Sequence, residues 1–166
     1  VNDRQQRSIA VTMRTPGHDL ELAAGFLHGE GILRSADDIH KLDWCANVAS
    51  QEEYGNVVKL ELRPDVAVDL SRLDRNFYMS SSCGVCGKAS IEALAMGGCP
   101  IVPDTGWRFE ADWVTGLPEQ AEAAQTVFQH TGGLHAASLF EPEGNWLLTR
   151  EDVGRPYCLF AALAPL

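Results

Sequence analysis

His135-Ala136-Ala137-Ser138-Leu139-Phe140-Glu141-Pro142-Glu143-Gly144-Asn145-Trp146-Leu147-Leu148-Thr149 carries two apolar runs on either side of a Glu-Pro-Glu-Gly break. A short polar break with proline and glycine between two such runs signals a β-hairpin. Upstream, Pro118 fits the first turn of a helix reaching about Gln129. That helix would turn Ala121, Ala124, Val127 and Phe128 inward and stop at Gly132-Gly133. A helix feeding a hairpin sets a mixed α/β class, and the rest of the chain extends it.

Further toward the N-terminus, Lys88 to Met96 reads as a helix stopped by Gly97-Gly98, and residues 99 to 111, with two prolines, read as a loop. Ile9, Val11 and Met13 alternate with smaller or polar neighbours from Ser8 to Arg14, which predicts a half-buried strand ended by Pro16-Gly17. Asp19 fits an N-cap. Leu20, Ala23, Ala24 and Leu27 then share a helical face as far as Gly29 or Gly31, and the helix is expected to run to about Leu33. Val58, Leu60 and Leu62 alternate with Lys59, Glu61 and Arg63, a strand with one wet face closed by Pro64. The boundaries expected are an N-terminal α+β subdomain over 1–78, then a cysteine loop and an α/β domain over 79–166.

Composition narrows the function. The 166 residues are 45% hydrophobic and 22% charged, ordinary for a chain that buries a core. A net charge of −10 argues against a phosphate-backbone partner, so no nucleic acid is expected. No run approaches a membrane span, so no membrane partner is expected either. Val1-Asn2-Asp3-Arg4 does not resemble a signal peptide, and the cytoplasm is the expected compartment. The missing initiator methionine suggests processing or an incomplete chain. Five cysteines are an odd number and leave at least one thiol free, which favours reduced thiols over a disulfide framework.

The reactive centre expected from the residues is Ser81-Ser82-Cys83-Gly84-Val85-Cys86-Gly87-Lys88. Thiol chemistry needs thiolate, and Cys83 and Cys86 precede an expected helix whose N-terminal N–H groups favour one. Lys88 adds a cation. The glycines allow close approach, and the serines supply hydroxyl donors. Three readings follow: sulfur transfer or redox chemistry, half of a zinc shell, or a glycine-rich turn with incidental cysteines. Ligand counting weakens zinc, because Cys45 and Cys99 stand alone and His135-Ala136-Ala137 lacks the carboxylate of the zinc deaminases. No metal ligand is therefore assigned. His135 either positions a substrate or is a hydrogen-bonded strand-entrance histidine. Glu151 and Asp152 either orient a ligand or are solvated acids at a strand end. The four tryptophans, Trp44, Trp107, Trp113 and Trp146, read as structural.

Four separated segments together resemble the FdhD family of formate dehydrogenase accessory proteins. They are Met13-Arg14-Thr15-Pro16 leading into Leu22-Ala23-Ala24-Gly25-Phe26-Leu27-His28-Gly29-Glu30-Gly31-Ile32; Ser82 to Lys88; Thr131-Gly132-Gly133-Leu134-His135-Ala136-Ala137; and Glu151-Asp152-Val153-Gly154-Arg155. The resemblance implies a sulfurtransferase that takes persulfide sulfur from a cysteine desulfurase. It would pass that sulfur to the molybdenum or tungsten bis-pterin guanine dinucleotide cofactor of formate dehydrogenase, a substrate rather than a tightly bound group. It also implies a cytidine deaminase-like α/β domain behind the N-terminal subdomain. Carried over by motif, Cys83 holds the persulfide and Cys86 assists, while Gly132, Gly133, His135, Glu151, Asp152 and Arg155 would contact the cofactor. A non-catalytic scaffold for the cofactor or the apo-enzyme is the alternative.

The resemblance breaks after Arg155. The family continues with His-Asn and a helix, whereas Pro156-Tyr157-Cys158 follows here, and Pro156 disfavours a smooth helix start for the residue before it. The family's remaining elements have no counterpart before Leu166, so truncation is expected. An exposed sheet edge and apolar face would then lead to self-association, as a homodimer for instance, with weakened cofactor affinity.

Overall fold

A computed structural model describes residues 6–67, 77–78, 103–104, 106 and 108–164. It has the mixed α/β architecture expected. The described elements are β1 (Ala10–Val11), α1 (Asp19–Gly29), β2 (Ile39–Trp44), β3 (Val58–Leu62), β4 (Phe77–Tyr78), α2 (Ala111–Ala123), α3 (Phe128–Thr131), β5 (His135–Phe140), β6 (Trp146–Asp152) and α4 (Arg155–Leu163). The strands pair two by two: β1 with β4 in parallel, β2 with β3 and β5 with β6 antiparallel. The helix expected over 88–96 lies outside the described residues.

The hairpin forms where the sequence places it. Glu141 donates its N–H to the Asn145 carbonyl at 2.8 Å, Gly144 closes on Glu141 at 2.9 Å, and Gly144 takes a φ of 96°. That positive φ suits glycine, which lacks the Cβ that would clash. Across the strands, the Ser138 and Thr149 hydroxyls meet at 2.7 Å. The register slips between Leu139 and Phe140, leaving an extra residue on β6.

Helix α1 ends at Gly29, earlier than Leu33, because a Schellman motif stops it. Gly31 has a φ of 71°, its N–H reaches the His28 carbonyl at 2.9 Å, and the Ile32 N–H reaches Leu27 at 2.9 Å. Asp19 is not the N-cap. His18 occupies that position without a side-chain bond, and Asp19 instead accepts the Gly17 N–H at 3.1 Å and pairs with Arg14. The first strand is shorter than Ser8–Arg14, since its partner β4 spans two residues and Arg14 and Thr15 bond elsewhere.

Pro118 lies inside α2 rather than in its first turn. The Val114 carbonyl loses its intrahelical donor there, which is tolerable on a helix with no buried residue. Ala121, Ala124 and Phe128 are half-buried as expected, whereas Val127 is exposed. Pro156 does not prevent a helix: it sits in the first turn of α4, where the missing N–H would have had no intrahelical partner. Gly132 ends α3 in the left-handed region, with a φ of 65°.

The core lies where α1, from the beginning of the chain, packs on α4, from its end, with α4 also covering β5 and β6. Leu22, Tyr157 and Ala161 form the buried cluster, with Phe160 packed against it and edge-on to Phe26 at 5.7 Å. Gly25 faces the backbone of Phe160, so the helices approach more closely there than a side chain would allow. The Arg150 guanidinium grips both oxygens of Glu21, tying β6 to α1. Among the described residues, no helix is long and apolar enough to cross a membrane.

Candidate functional site at the open end of the hairpin

Because β5 and β6 run antiparallel, the first residue of one lies beside the last of the other. His135 is the register partner of Asp152 and Ala136 of Glu151. Gly132 and Gly133 lead into β5, and Arg155 follows β6. All six residues nominated for ligand contact therefore gather at the end of the hairpin opposite its turn. Cys83 and Cys86, nominated for the chemistry, lie outside the described residues.

Alternation along β6 separates the two acids. Asp152 shares a face with His135, and Glu151 points to the other. Glu151 accepts the Val127 N–H at 2.9 Å and the Phe128 N–H at 2.7 Å, one on each oxygen, and so fixes the start of α3. Asp152 is buried. One of its oxygens takes the Thr15 N–H at 3.0 Å and the other the Gly154 N–H at 3.1 Å. Thr15 returns the exchange, its hydroxyl oxygen accepting the Val153 N–H at 3.1 Å.

Burial raises the Asp152 pKa above 3.8, against the backbone donors of Thr15, Gly154 and Val153 and the charge of Arg14. A raised carboxyl pKa contributes stability that is full below the unfolded value and lost as pH rises through the folded one. The backbone donors of Thr15, Gly154 and Val153 and the charge of Arg14 offset part of that burial cost.

Gly154 caps α4, and its carbonyl receives the N–H groups of Tyr157 at 3.0 Å and Cys158 at 3.3 Å. Arg155 is exposed, a cation at the mouth of the site. Cys158 is buried beneath it, with its thiol donating to the Arg155 carbonyl at 3.0 Å. Burial pushes that thiol above its ordinary pKa, and the nearby Asp152 charge adds to the effect, so Cys158 is a poor nucleophile. Among the described residues, no group of three His, Cys, Asp or Glu side chains could hold a metal ion.

Arg14 and Thr15 lie within the first motif segment, and the structure gives each of them partners far away in sequence. Arg14 donates to the Gly55 carbonyl and to Asn56 Oδ1, each at 3.0 Å, besides pairing with Asp19. This fastens the segment after β1 to both α1 and the β2–β3 loop. Thr15 fastens it to the hairpin end. The only local signal was the motif itself, since Thr15 and Asp152 are 137 residues apart.

Strands β1 and β4 run in the same direction, with Ala10 beside Phe77 and Val11 beside Tyr78. Four residues separate Tyr78 from Cys83, a span of at most about 18 Å.

The FdhD/NarQ family model matches residues 3–159. A protein of Streptomyces avermitilis named sulfur carrier protein FdhD is 46% identical over 152 residues, covering 90% of this chain and 54% of the relative. Proteins of the same name from Streptomyces coelicolor and Picrophilus torridus are 43% and 38% identical, covering 90% and 93% of this chain and 54% of each relative. The chain thus spans about half the length of these curated relatives. The match runs from the segment before β1 into α4 and takes in both the cysteine pair and the hairpin end, so the chain belongs to the FdhD/NarQ family.

Proposed function

We propose that this chain is the sulfur-carrying portion of an FdhD-type sulfurtransferase. The observation that carries the reading is the pair Cys83-Gly84-Val85-Cys86 within a family whose relatives are named sulfur carriers. The Cys83 thiolate attacks the outer sulfur of a cysteine desulfurase persulfide. The new S–S bond forms as the old one breaks, and the desulfurase leaves as thiolate, with no net oxidation. The carried sulfur then passes at the sulfide level to the molybdenum or tungsten bis-pterin guanine dinucleotide cofactor, as needed by formate dehydrogenase in the cytoplasm; the Cys83 S–S bond breaks, Cys83 leaves as thiolate, and a dithiol reductant supplies the two electrons and is oxidised to its disulfide. Cys86 competes by attacking the inner sulfur, giving a Cys83–Cys86 disulfide and releasing sulfide.

In this reading the exposed Arg155, His135 and the Gly132-Gly133 turn meet the cofactor. Glu151 and Asp152 shape that end through the backbone groups they hold. Mass spectrometry after incubation with a desulfurase and cysteine tests the proposal. One added sulfur is expected on the peptide of the wild type and of Cys86→Ala, and none on Cys83→Ala. Normal loading of Cys83→Ala would remove Cys83 from the role.

A further inference from the structure

We infer that the groove between α2 and α3 is a docking site for a basic segment of a partner protein, one that presents arginine or lysine side chains. The inference goes beyond the proposed sulfur carriage, with which it shares only Gly132. The groove has a volume of about 540 Å³ and is lined by Glu119, Glu122 and Ala123 of α2, by Phe128 and His130 of α3, and by Gly132. Its two walls are tied together before anything binds. The Gln129 side-chain amide donates to the carbonyls of Glu122 and Ala123 at 3.5 and 3.4 Å, and Glu151 holds the start of α3 through the Val127 and Phe128 N–H groups. A preformed site of this kind spends little binding energy on ordering itself.

Charge complementarity names the occupant. No lysine or arginine stands between Arg108 and Arg150, whereas Glu110, Asp112, Glu119, Glu122, Glu141 and Glu143 do, so this stretch carries more than half of the net charge of −10. Glu119 and Glu122 stand three positions apart on α2, where like charges repel, and among the described residues neither carboxylate has a partner. A cation seated between them relieves that repulsion. His130 adds an acceptor. Its Nδ1 donates to the Thr126 carbonyl at 2.7 Å, which leaves Nε2 of the neutral ring with a lone pair. Ala123 and the Phe128 ring supply apolar wall for the methylene stems of arginine or lysine, and a ring face also attracts the charged head. Of the lining residues only Phe128 is half-buried and the rest are exposed, so a small cation entering alone would stay hydrated and gain little. A protein segment gains at several points at once, from its charges and from its stems.

The test titrates the full chain with a short peptide alternating arginine and leucine, followed by NMR at the backbone amides. Shifts are expected to centre on residues 119–123 and 128–132, and the affinity should fall as salt is added. The pair Glu119→Gln and Glu122→Gln should weaken binding about fivefold, the sum of two exposed ion pairs. The control pair Glu52→Gln and Glu143→Gln removes the same charge from exposed acids elsewhere and should leave the affinity unchanged. Shifts spread over the other acids, or equal losses in the two pairs, would overturn the inference in favour of diffuse attraction. A peptide alternating glutamate and leucine that bound as well would overturn it in favour of apolar adhesion. Spermidine matching the arginine peptide would show a site for free polyamines and overturn the assignment to a protein segment. The shift map on the wild type decides the location whether or not a variant folds.

Discussion

Replacing Gly25 with alanine tests the helix crossing on which the core is built. A methyl group there would lie 2.5 Å from the carbonyl carbon of Phe160 and 3.1 Å from its Cα, and closer still to its carbonyl oxygen. Ordinary carbon contacts need about 3.5–4.0 Å, so α1 and α4 would have to part by roughly 1 Å. Neither side can yield by rotating, because the obstacle is backbone. Overpacking of this kind costs about 1–3 kcal/mol, and parting the helices also loosens Leu22 against Tyr157 and Ala161, which favours the upper end. Alanine returns about 1 kcal/mol through its better helix propensity. The net expectation is a loss of about 2 kcal/mol.

Gly29→Ala is the control. Its methyl would meet the Phe160 ring, with the nearest ring carbon at 2.6 Å, and a ring can turn aside. The edge-on contact with Phe26 would suffer, at a cost of about 0.5–1.5 kcal/mol, largely offset by helix propensity. Urea denaturation followed by circular dichroism should show a lower midpoint for Gly25→Ala at unchanged slope, and a small shift for Gly29→Ala. A Gly25→Ala protein as stable as wild type, or one less affected than Gly29→Ala, would refute the close crossing.

Two other outcomes can be read from titratable groups. Burial raises the pKa of Glu21, but the hydrogen bonds and charge of Arg150, with help from His18, outweigh it and leave the carboxyl below 4.5. A depressed carboxyl pKa contributes stability that is present above the unfolded value and lost as pH falls through the folded one. Wild type should therefore exceed Glu21→Gln in stability at neutral pH, with the gap closing in acid below about 4.5; a gap independent of pH in paired melts would contradict the pairing. Buried Cys158 should be alkylated at least about a hundredfold more slowly in the native protein than in urea, as peptide mapping would show, and equal rates would place it on the surface.

The elements most legible in the sequence were those with strong local chemistry. The Glu141–Gly144 turn, the alternation of Val58, Leu60 and Leu62, and Gly132 as a helix stop all appear in the structure. Strand β2 was missed, because Ile39 to Trp44 mixes charged and apolar residues and is half-exposed on both faces. Pro118 and Pro156 misled in opposite ways. Each carried a sound local rule, and the surrounding helix decided its position. Motifs pointed to the candidate site one segment at a time, and the antiparallel register brought three of the nominated positions, His135, Glu151 and Asp152, to two adjoining strand ends. What no local pattern contained was the Arg14 and Thr15 fastening, whose partners lie 41, 42 and 137 residues away.

That fastening bears on the electrostatics of the hairpin end. A ligand rich in phosphate would be repelled by Glu151 and Asp152 if both carboxylates faced it as free charges. Instead each acid has its two oxygens turned to backbone donors: Val127 and Phe128 for Glu151, Thr15 and Gly154 for Asp152. Bonds of this kind satisfy a carboxylate and spread its charge into oriented peptide dipoles. Arg155, three residues after Asp152, is exposed, and His135, the register partner of Asp152, is half-buried. Although the chain carries a net charge of −10, the two acids at this strand end are thus engaged by backbone donors while Arg155 is exposed.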